Sequence, residues 1–450
     1  MPQIIVIVIG AGQAGSSLVV KLRDAGFAGE LTLIGDEPAL PYQRPPLSKA
    51  YLLGDLPRDR LILRPQAFYD VRDINLRTNA KVTTIDPAAK TVTLGDEVLG
   101  YDQLALTTGS RPRRLPDAIG GALGGLYYVR ELSDIDAMQP EIRRGRRVLI
   151  IGGGYIGLEA AAVAAKQGLE VTLVEMAGRI LQRVASPETS DYFRDLHQRH
   201  GVAIREGVGL KRLLGGDRVT GAELTDGTVL DLDFAIAGTG ILPDDRLAAE
   251  AGLSCDNGIA VDDRGRTSAP DVWAAGDCAS FPLGETRMRL ESVPNAIDMA
   301  ERVAQNMMGG DRPYVPEPWF WSDQYDVKLQ IAGLSAGHDR VVVRDSGAAR
   351  SHWYFAGDRL LAVDAMNDPR AFMVAKRLLA AGKSPRCRDG GRCVNRSEVV
   401  VALSHADHRG GVSRSQVDRS WQGRCRGASA SHDRPGARKP VQPAAGRAFW

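Results

Sequence analysis

Two stretches of this sequence carry the same arrangement of glycines: "IGAGQAG" at residues 9–15 and "IGGGYIG" at 151–157. Each reads G-x-G-x-x-G, with Gly10, Gly12 and Gly15 in the first and Gly152, Gly154 and Gly157 in the second. In this spacing the first glycine allows a tight turn and the second lets backbone approach a pyrophosphate. The third lets a helix pack against a strand, and the N-terminus of that helix faces the phosphates. An acid suited to accept ribose hydroxyls follows each phrase. Asp36 and Glu37 come after the first, and Glu175 lies 23 residues beyond Gly152 in the second. A carboxylate at Glu175 repels a 2′-phosphate, so NADH is expected over NADPH, with Arg179 the nearest basic residue. Two such pockets call for two dinucleotides, one FAD held permanently and one nicotinamide nucleotide that comes and goes; the other reading is an internal duplication with one dead site.

The elements that must position these groups are legible in the pattern. Residues 3–9, "QIIVIVI", form a β-branched run of the kind found in buried parallel strands. "SSLVVKLRDAG" has helical spacing and stops at Gly26, and "ELTLIGDE" is a second strand ending in Asp36 and Glu37. The second unit repeats this order, with a strand at Val148–Ile151, a helix to about Gly168 and a strand ending at Glu175. In "PYQRPPLSKAYL", 41–52, consecutive prolines forbid a regular helix until Leu47, and a helix is expected to open at Ser48 or Lys49. Residues 104–111 predict a strand and a glycine turn. Residues 267–278 predict a loop, a strand and then Gly276–Asp277, an acid able to bind a ribityl hydroxyl. "ESVPNAIDMAERVAQNM" predicts a helix from about Pro294, with proline at its first position.

Bulk composition sets the frame. A chain of 450 residues exceeds one ordinary core, so two to four domains are expected. Apolar residues at 44% and aromatics at 6% suit a soluble globular protein, and a net charge of +2 gives no reason to invoke nucleic acid. The N-terminal apolar run is too short to span a bilayer and no basic segment precedes it, so the expectation is a cytoplasmic protein with no membrane contact. The cysteines, Cys255, Cys278, Cys387, Cys393 and Cys425, form no CxxC; a zinc ribbon or dithiol motif is not expected, and no metal site is foreseen. From Ser384 to Trp450 there are 12 Arg and 1 Lys against 4 Asp and 1 Glu, in a stretch rich in Gly, Ser and Pro. That composition cannot bury enough surface to offset chain entropy, so 384–450 is expected to be a separate, mostly disordered basic tail.

Taken together and in order, "IGAGQAG", "LPYQRPPLSKAYL", "TTGSRPR", "IGGGYIGLE", "GTGILPD", "APDVWAAGDC", "LESVPNA" and "PWFWSDQYDVKLQIAG" resemble the FAD-dependent, NADH-oxidising ferredoxin reductases of bacterial oxygenase systems, the putidaredoxin and rhodocoxin reductase type. The resemblance runs from about residue 3 to residue 383. It implies an α/β fold with two Rossmann-like dinucleotide-binding domains, as in glutathione reductase, and a small α+β C-terminal domain. FAD binding would use 1–111 and 243–316, NAD binding 112–242, and the C-terminal interface domain 317–383. Carried over residue by residue, Gly10, Gly12, Gly15, Glu37, Arg44, Lys49 and Asp277 would hold FAD, and Gly152, Gly154, Gly157 and Glu175 would hold NAD. Gly109, Arg111, Gly240 and Val293 complete the expected cofactor-binding set.

NADH gives two electrons at once as a hydride and a 2Fe–2S ferredoxin accepts one at a time; a flavin can do both. In the family the helix opened by "ESVPN" points its N-terminus at the flavin, where partial positive charge favours the reduced anion. Glu159, one turn into the second helix, would pair with Lys49 near the reacting flavin edge; the other reading is a solvated helix residue. Neither is expected to be an essential acid or base. Trp321 is read either as interdomain packing or as a residue near the flavin on the ferredoxin-facing surface, and the two are compatible. Residues 38–60 lack the CxxxxC of the glutathione reductase branch, so electrons should leave the flavin directly. The expected partners are NADH and a 2Fe–2S ferredoxin serving a haem-thiolate monooxygenase or a ring-hydroxylating dioxygenase. The alternatives are a reductase of rubredoxin or a small acceptor, and an NADH-sensing flavoprotein. The resemblance fails at Arg386, where an arginine-rich run suggests either a frameshift product or a basic arm for an acidic partner.

Overall fold

The computed structural model describes residues 4–385, together with the backbone of the short strands Cys387–Arg388 and Arg392–Cys393. Nearly all of the expected basic tail lies outside the described residues. The chain divides into two compact units; residues 184–189 and those from 319 onward belong to the second, and the preceding described residues to the first.

The first unit holds two five-stranded parallel sheets whose topology matches over four strands, the fifth being last in sequence in the first sheet and first in the second. In the first sheet, strand β1 (Ile5–Ile9) is central, joined through helix α1 (Gln13–Asp24) to strand β2 (Glu30–Ile34). The order across the sheet is Val272–Ala274, Gln103–Leu106, β1, β2, Asn75–Arg77. Val6, Ile7 and Val8 are all buried, as expected for a parallel strand covered on both faces. The second sheet is centred on β3 (Arg147–Ile151), joined through α2 (Tyr155–Lys166) to β4 (Glu170–Glu175), which is followed by α3 (Pro187–Arg199) and β5 (Ala203–Glu206). Its order is β5, β4, β3, Phe234–Ala237, Leu126–Tyr127. Each sheet is accompanied by a three-stranded antiparallel meander, Thr84–Asp86 to Glu97–Gly100 in the first case and Leu210–Gly215 to Val229–Asp231 in the second. The fold is thus one supersecondary plan used twice. Helix α4 (Val293–Met307) packs against α1.

Three local expectations differ from the structure. The double proline does not delay helix formation; Pro45–Ser48 is itself a single 3-10 helix, and turns rather than a regular helix follow through Gly54. Proline fixes φ at a value a 3-10 turn accepts, and the two prolines fall where no N–H is required. Strand β2 ends at Ile34, so Asp36 and Glu37 lie in the turn beyond it. Pro294 occupies the second position of α4, after Val293, and Ser292 is the cap, its hydroxyl accepting from Asn295 N–H at 3.3 Å.

The second unit is a five-stranded antiparallel sheet in the order β6 (Trp319–Gln324), β7 (Val327–Gly333), β10 (Arg359–Met366), β9 (Arg350–Ala356), β8 (Arg340–Asp345), packed against helix α5 (Pro369–Ala380). Its core gathers Trp353, Phe355, Val363, Ala371 and Phe372. A buried polar chain runs beside it. Thr189 Oγ1 donates to Asp364 Oδ2 at 2.7 Å, so it accepts from His352 Nδ1 at 2.7 Å; Arg350 Nε donates to His352 Nε2 at 3.0 Å. Tyr354 also donates to Asp364 and accepts from Ser186 N–H at 3.1 Å. Burial pushes the Asp364 carboxyl up to about 6. Burial, and then Arg350, pushes the His352 imidazole down to about 3.

Candidate functional site

The first glycine phrase builds an open cradle. Gly10 has φ +108°, and a Cβ there would lie 2.2 Å from the Thr107 carbonyl oxygen. A Cβ on Gly15 would lie 2.0 Å from the Gly10 carbonyl oxygen, so only glycine lets α1 sit this close to the turn. Gly12 is different: a Cβ there would meet nothing within 4 Å. Gly12 caps α1 without a side chain, and the first intrahelical bond is Ser16 N–H to Gly12 O, leaving the N–H groups of the first turn for an outside acceptor. A cradle with backbone donors at its base and open space in front fits a pyrophosphate.

Glu37, Arg44 and Asp277 border the rest of this site. Glu37 accepts from the Tyr42 hydroxyl and from Arg44 Nη2, both at 2.5 Å, and Arg44 Nη1 donates to the Arg130 carbonyl at 2.7 Å. Burial raises the Tyr42 hydroxyl well above its ordinary value. Asp277 Oδ2 accepts from Ser110 Oγ at 2.9 Å and lies 3.9 Å from the Arg130 guanidinium. Arg130 is partly buried, and loss of hydration followed by repulsion from Arg44 lowers its affinity for a proton. Its Nη2 would be 3.1 Å from a Cβ on Gly109, whose φ of +72° makes the turn at the strand end. Arg289 donates to the Asp277 carbonyl at 3.0 Å and pairs with Glu291. Burial, opposed by Arg289, pushes the Glu291 carboxyl up to about 7. Val293 opens α4 two residues later.

Lys49 and Glu159, distant in sequence, are brought together. Lys49 Nζ lies 2.8 Å from Glu159 Oε2, and Ser48 Oγ donates to the same oxygen at 2.6 Å. The Glu159 side chain is only 2% exposed, so it is no solvated helix residue.

The second phrase repeats the cradle. Gly152 has φ +108°, a Cβ on Gly157 would lie 2.0 Å from the Gly152 carbonyl oxygen, and a Cβ on Gly154 would meet nothing within 4 Å. Gly154 caps α2 without a side chain. The acid is held differently from Glu37: Glu175 Oε2 accepts from Gly153 N–H at 2.7 Å and Oε1 from Ala177 N–H at 2.8 Å. Gly240, at φ +90°, directly precedes the short strand Ile241–Pro243, which pairs with Ser110–Pro112. Arg111 on that pairing strand is half exposed, 4.0 Å from Asp244. Trp321 belongs to the second unit, on β6, where its ring stacks with Trp319 at 5.6 Å between centroids; Lys376 lies over Trp319 at 4.9 Å.

Arg130, Ser48, Tyr42 and the Arg289–Glu291 pair were not foreseen from the sequence. Arg130 precedes a short helix with no motif to mark it; only the closeness of Gly109 and Asp277 in space singles it out. Among the described residues no cluster of His, Cys, Asp and Glu could hold a metal ion, and no helix is long and apolar enough to cross a membrane.

Residues 5–300 match the family model of the pyridine nucleotide-disulphide oxidoreductases. The chain belongs to this family. Residues 319–389 match the reductase C-terminal family, so both units of this oxidoreductase have a counterpart. The reductase is 44% identical over 382 residues to rhodocoxin reductase of Rhodococcus erythropolis, covering 83% of this chain and 89% of that one. It is 41% identical over 384 residues to putidaredoxin reductase of Pseudomonas putida, covering 83% and 91%. Among solved structures, the covalent putidaredoxin reductase–putidaredoxin complex matches with a TM-score of 0.85 at 38% identity, over 89% of this chain and 99% of that one. The fold is two Rossmann-like dinucleotide-binding sheets with a small α+β C-terminal domain.

Proposed function

We propose that this chain is an FAD-dependent NADH:ferredoxin reductase that takes a hydride from NADH and passes single electrons to a 2Fe–2S ferredoxin serving an oxygenase. The observation that carries the reading is the pair of open glycine cradles, Gly12 and Gly154, each facing space at an uncapped helix N-terminus. Two such cradles in one chain suit a resident and an exchanging dinucleotide. We assign 1–111 and 243–316 to FAD binding, 112–242 to NADH binding and 317–383 to the ferredoxin-facing domain. The cytoplasm is the compartment that suits this chemistry.

Bound FAD supplies the change from two-electron to one-electron transfer. The chain supplies the rest. Gly10, Gly12 and Gly15 would bring the first turn of α1 to the pyrophosphate, and Glu37 would accept from the ribose. Glu37 carries Arg44 with it, so its charge is already compensated before the cofactor binds. Arg130, beside Gly109 and Asp277, adds positive charge for the phosphates, and Asp277 accepts from the ribityl chain. Val293, in the first turn of α4, and Lys49 would hold the flavin ring, with Arg111 and Gly240 at its border. Glu159 holds Lys49 in place and keeps a buried ammonium compensated. Gly152, Gly154, Gly157 and Glu175 do for NADH what the first phrase does for FAD. Trp321, on the partly exposed face of β6, would lie on the electron exit.

Anaerobic stopped-flow mixing with NADH, followed by a 2Fe–2S ferredoxin, tests the reading. Rapid bleaching of the flavin, with electrons passing to the ferredoxin, is expected. Bleaching with no passage to the ferredoxin and a long-lived NADH complex would overturn it in favour of a sensor.

A further inference from the structure

The loop that follows β4 returns to the glycine that Glu175 holds. Glu175 takes the N–H of Gly153, and at the far end of the loop Leu181 N–H donates to Gly153 O at 2.9 Å. Both ends of residues 175–181 therefore converge on the glycine cradle, and Arg179 lies between them. A Cβ on Gly153 would be 2.6 Å from Ile180 Cγ2, so this loop is the wall of the ribose-binding corner.

Arg179 is the one basic residue of that loop, and its guanidinium is engaged by neighbouring protein groups. Nη1 donates to Ser190 Oγ at 2.5 Å, and Nη2 reaches the Gln182 carbonyl at 3.4 Å. Ser190 is fully buried on α3, and its own hydroxyl donates to the Ile180 carbonyl at 2.6 Å. One hydroxyl thus fixes both the loop backbone and the arginine head. The loop is fixed a second time by Glu206 on β5, which takes Ile180 N–H at 2.7 Å and is held by Arg194 Nε at 2.9 Å. Glu175, meanwhile, has its two oxygens on backbone amides and no arginine of its own, unlike Glu37. The loop thus presents a carboxylate fixed by two amides, and its one arginine is tied to Ser190.

We propose that the Arg179–Ser190 tie is the specificity determinant at the adenosine 2′ position: it keeps the second pocket for dinucleotides with a free 2′-hydroxyl by denying a 2′-phosphate its arginine partner. This rests on the second pocket being the nicotinamide nucleotide site. An arginine released from Ser190 has the planar fork and the fixed charge that a phosphate monoester needs, so discrimination depends on the restraint as much as on Glu175.

The test is calorimetric binding of ADP-ribose and 2′-phospho-ADP-ribose to the FAD-loaded full chain, which reads the adenosine end without turnover. Wild type should bind ADP-ribose and discriminate against its 2′-phosphate. Ser190→Ala should tighten the 2′-phosphorylated ligand relative to ADP-ribose by about tenfold, the scale of one charge-assisted contact. Adding Arg179→Gln to Ser190→Ala should erase the gain. Arg179→Gln alone should leave the ratio of the two affinities as it is in wild type. A ratio unmoved by Ser190→Ala, a gain that survives loss of Arg179, or a ratio shifted severalfold by Arg179→Gln alone overturns the proposal. Failure of wild type to bind ADP-ribose at all overturns the nucleotide assignment of the pocket instead, and the proposal with it.

Discussion

Replacing Glu159 by glutamine preserves the shape of the side chain and removes its charge. The Lys49 ammonium sits 2.8 Å from Glu159 Oε2, with the two side chains 17% and 2% exposed. At an effective dielectric of about 20 the attraction over that distance is about 6 kcal/mol. Much of this is offset by the loss of hydration of two buried groups, and removing one partner of such a pair typically costs about 3 kcal/mol. In Glu159→Gln the ammonium keeps neutral acceptors alone, the Pro45 carbonyl at 3.3 Å and an amide oxygen shared with Ser48. Urea unfolding of the FAD-loaded protein should therefore register a loss of about 3 kcal/mol. Hydride transfer requires no proton from Glu159, so the anaerobic rate of flavin bleaching by NADH should fall by less than about tenfold, against 10²–10⁴ for a lost general acid or base. Its pH profile should keep its shape. A hundredfold drop with a flattened profile would refute the positioning role and make Glu159 an acid–base group. An unchanged unfolding curve would refute the energetic argument.

Three further outcomes follow from geometry. Gly12→Ala should fold, since a Cβ meets nothing within 4 Å, but should lose FAD affinity by about tenfold or more as the methyl enters the phosphate space; Gly15→Ala, at 2.0 Å from the Gly10 carbonyl, should not yield folded protein. Full flavin retention by purified Gly12→Ala would rule out the pyrophosphate assignment. In the second unit, Asp364 is raised from 3.8 to about 6, so its contribution to stability is greatest below 3.8 and is lost as pH rises through 6, about 3 kcal/mol in all. His352 is depressed from 6.5 to about 3, so its contribution of about 5 kcal/mol is present above 6.5 and is lost as pH falls toward 3. The two oppose each other between pH 6 and 4, so amide hydrogen exchange in β10, corrected for intrinsic rates, should change little there in wild type. It should slow on acidification in His352→Gln and quicken in Asp364→Asn; equal pH dependence in all three proteins would sink the account. Trp321→Ala should leave NADH-driven ferricyanide reduction within twofold while slowing ferredoxin reduction by about tenfold or more, and equal slowing of both would place Trp321 in packing alone.

The parts of the fold that rest on short-range rules were readable in the sequence. β-Branched runs such as "IVIVI" have one stable use beside a glycine turn, and the third glycine of each phrase is demanded by a carbonyl five residues before it, whereas the contacts that demand Gly10 and Gly152 come from Thr107 and Gly238, far along the chain. The pairing of Lys49 with Glu159 came from resemblance, because nothing in the spacing of residues 110 apart fixes their meeting. Arg130 was invisible for the same reason: its partner Asp277 arrives on a strand end far along the chain. The 3-10 turn at Pro45–Ser48 was misread because the prolines were treated as helix breakers alone, when their fixed φ also suits a tighter helix. Glu37 and Glu175 look equivalent in the sequence. Tyr42 and Arg44 give the first acid side-chain partners close in sequence, whereas the second takes two backbone amides and Arg179 goes to Ser190 instead.

The strand Val272–Ala274 pairs with Gln103–Leu106, Val272 lying opposite Leu104. The whole second sheet is encoded between them. A ribosome adding 5–20 residues per second therefore leaves the Gln103–Leu106 edge uncovered for roughly 10–30 seconds after it emerges. During that interval the inserted sheet can complete itself, since its strands from Leu126–Tyr127 to Phe234–Ala237 are already out, and its closure draws the two ends of the long excursion together. Folding of the later copy of the plan should therefore hold the two halves of the earlier one near each other. A chain cut shortly before residue 272 should display a naked, apolar strand edge and self-associate, whereas the excised inserted sheet keeps no such debt to the rest of the chain.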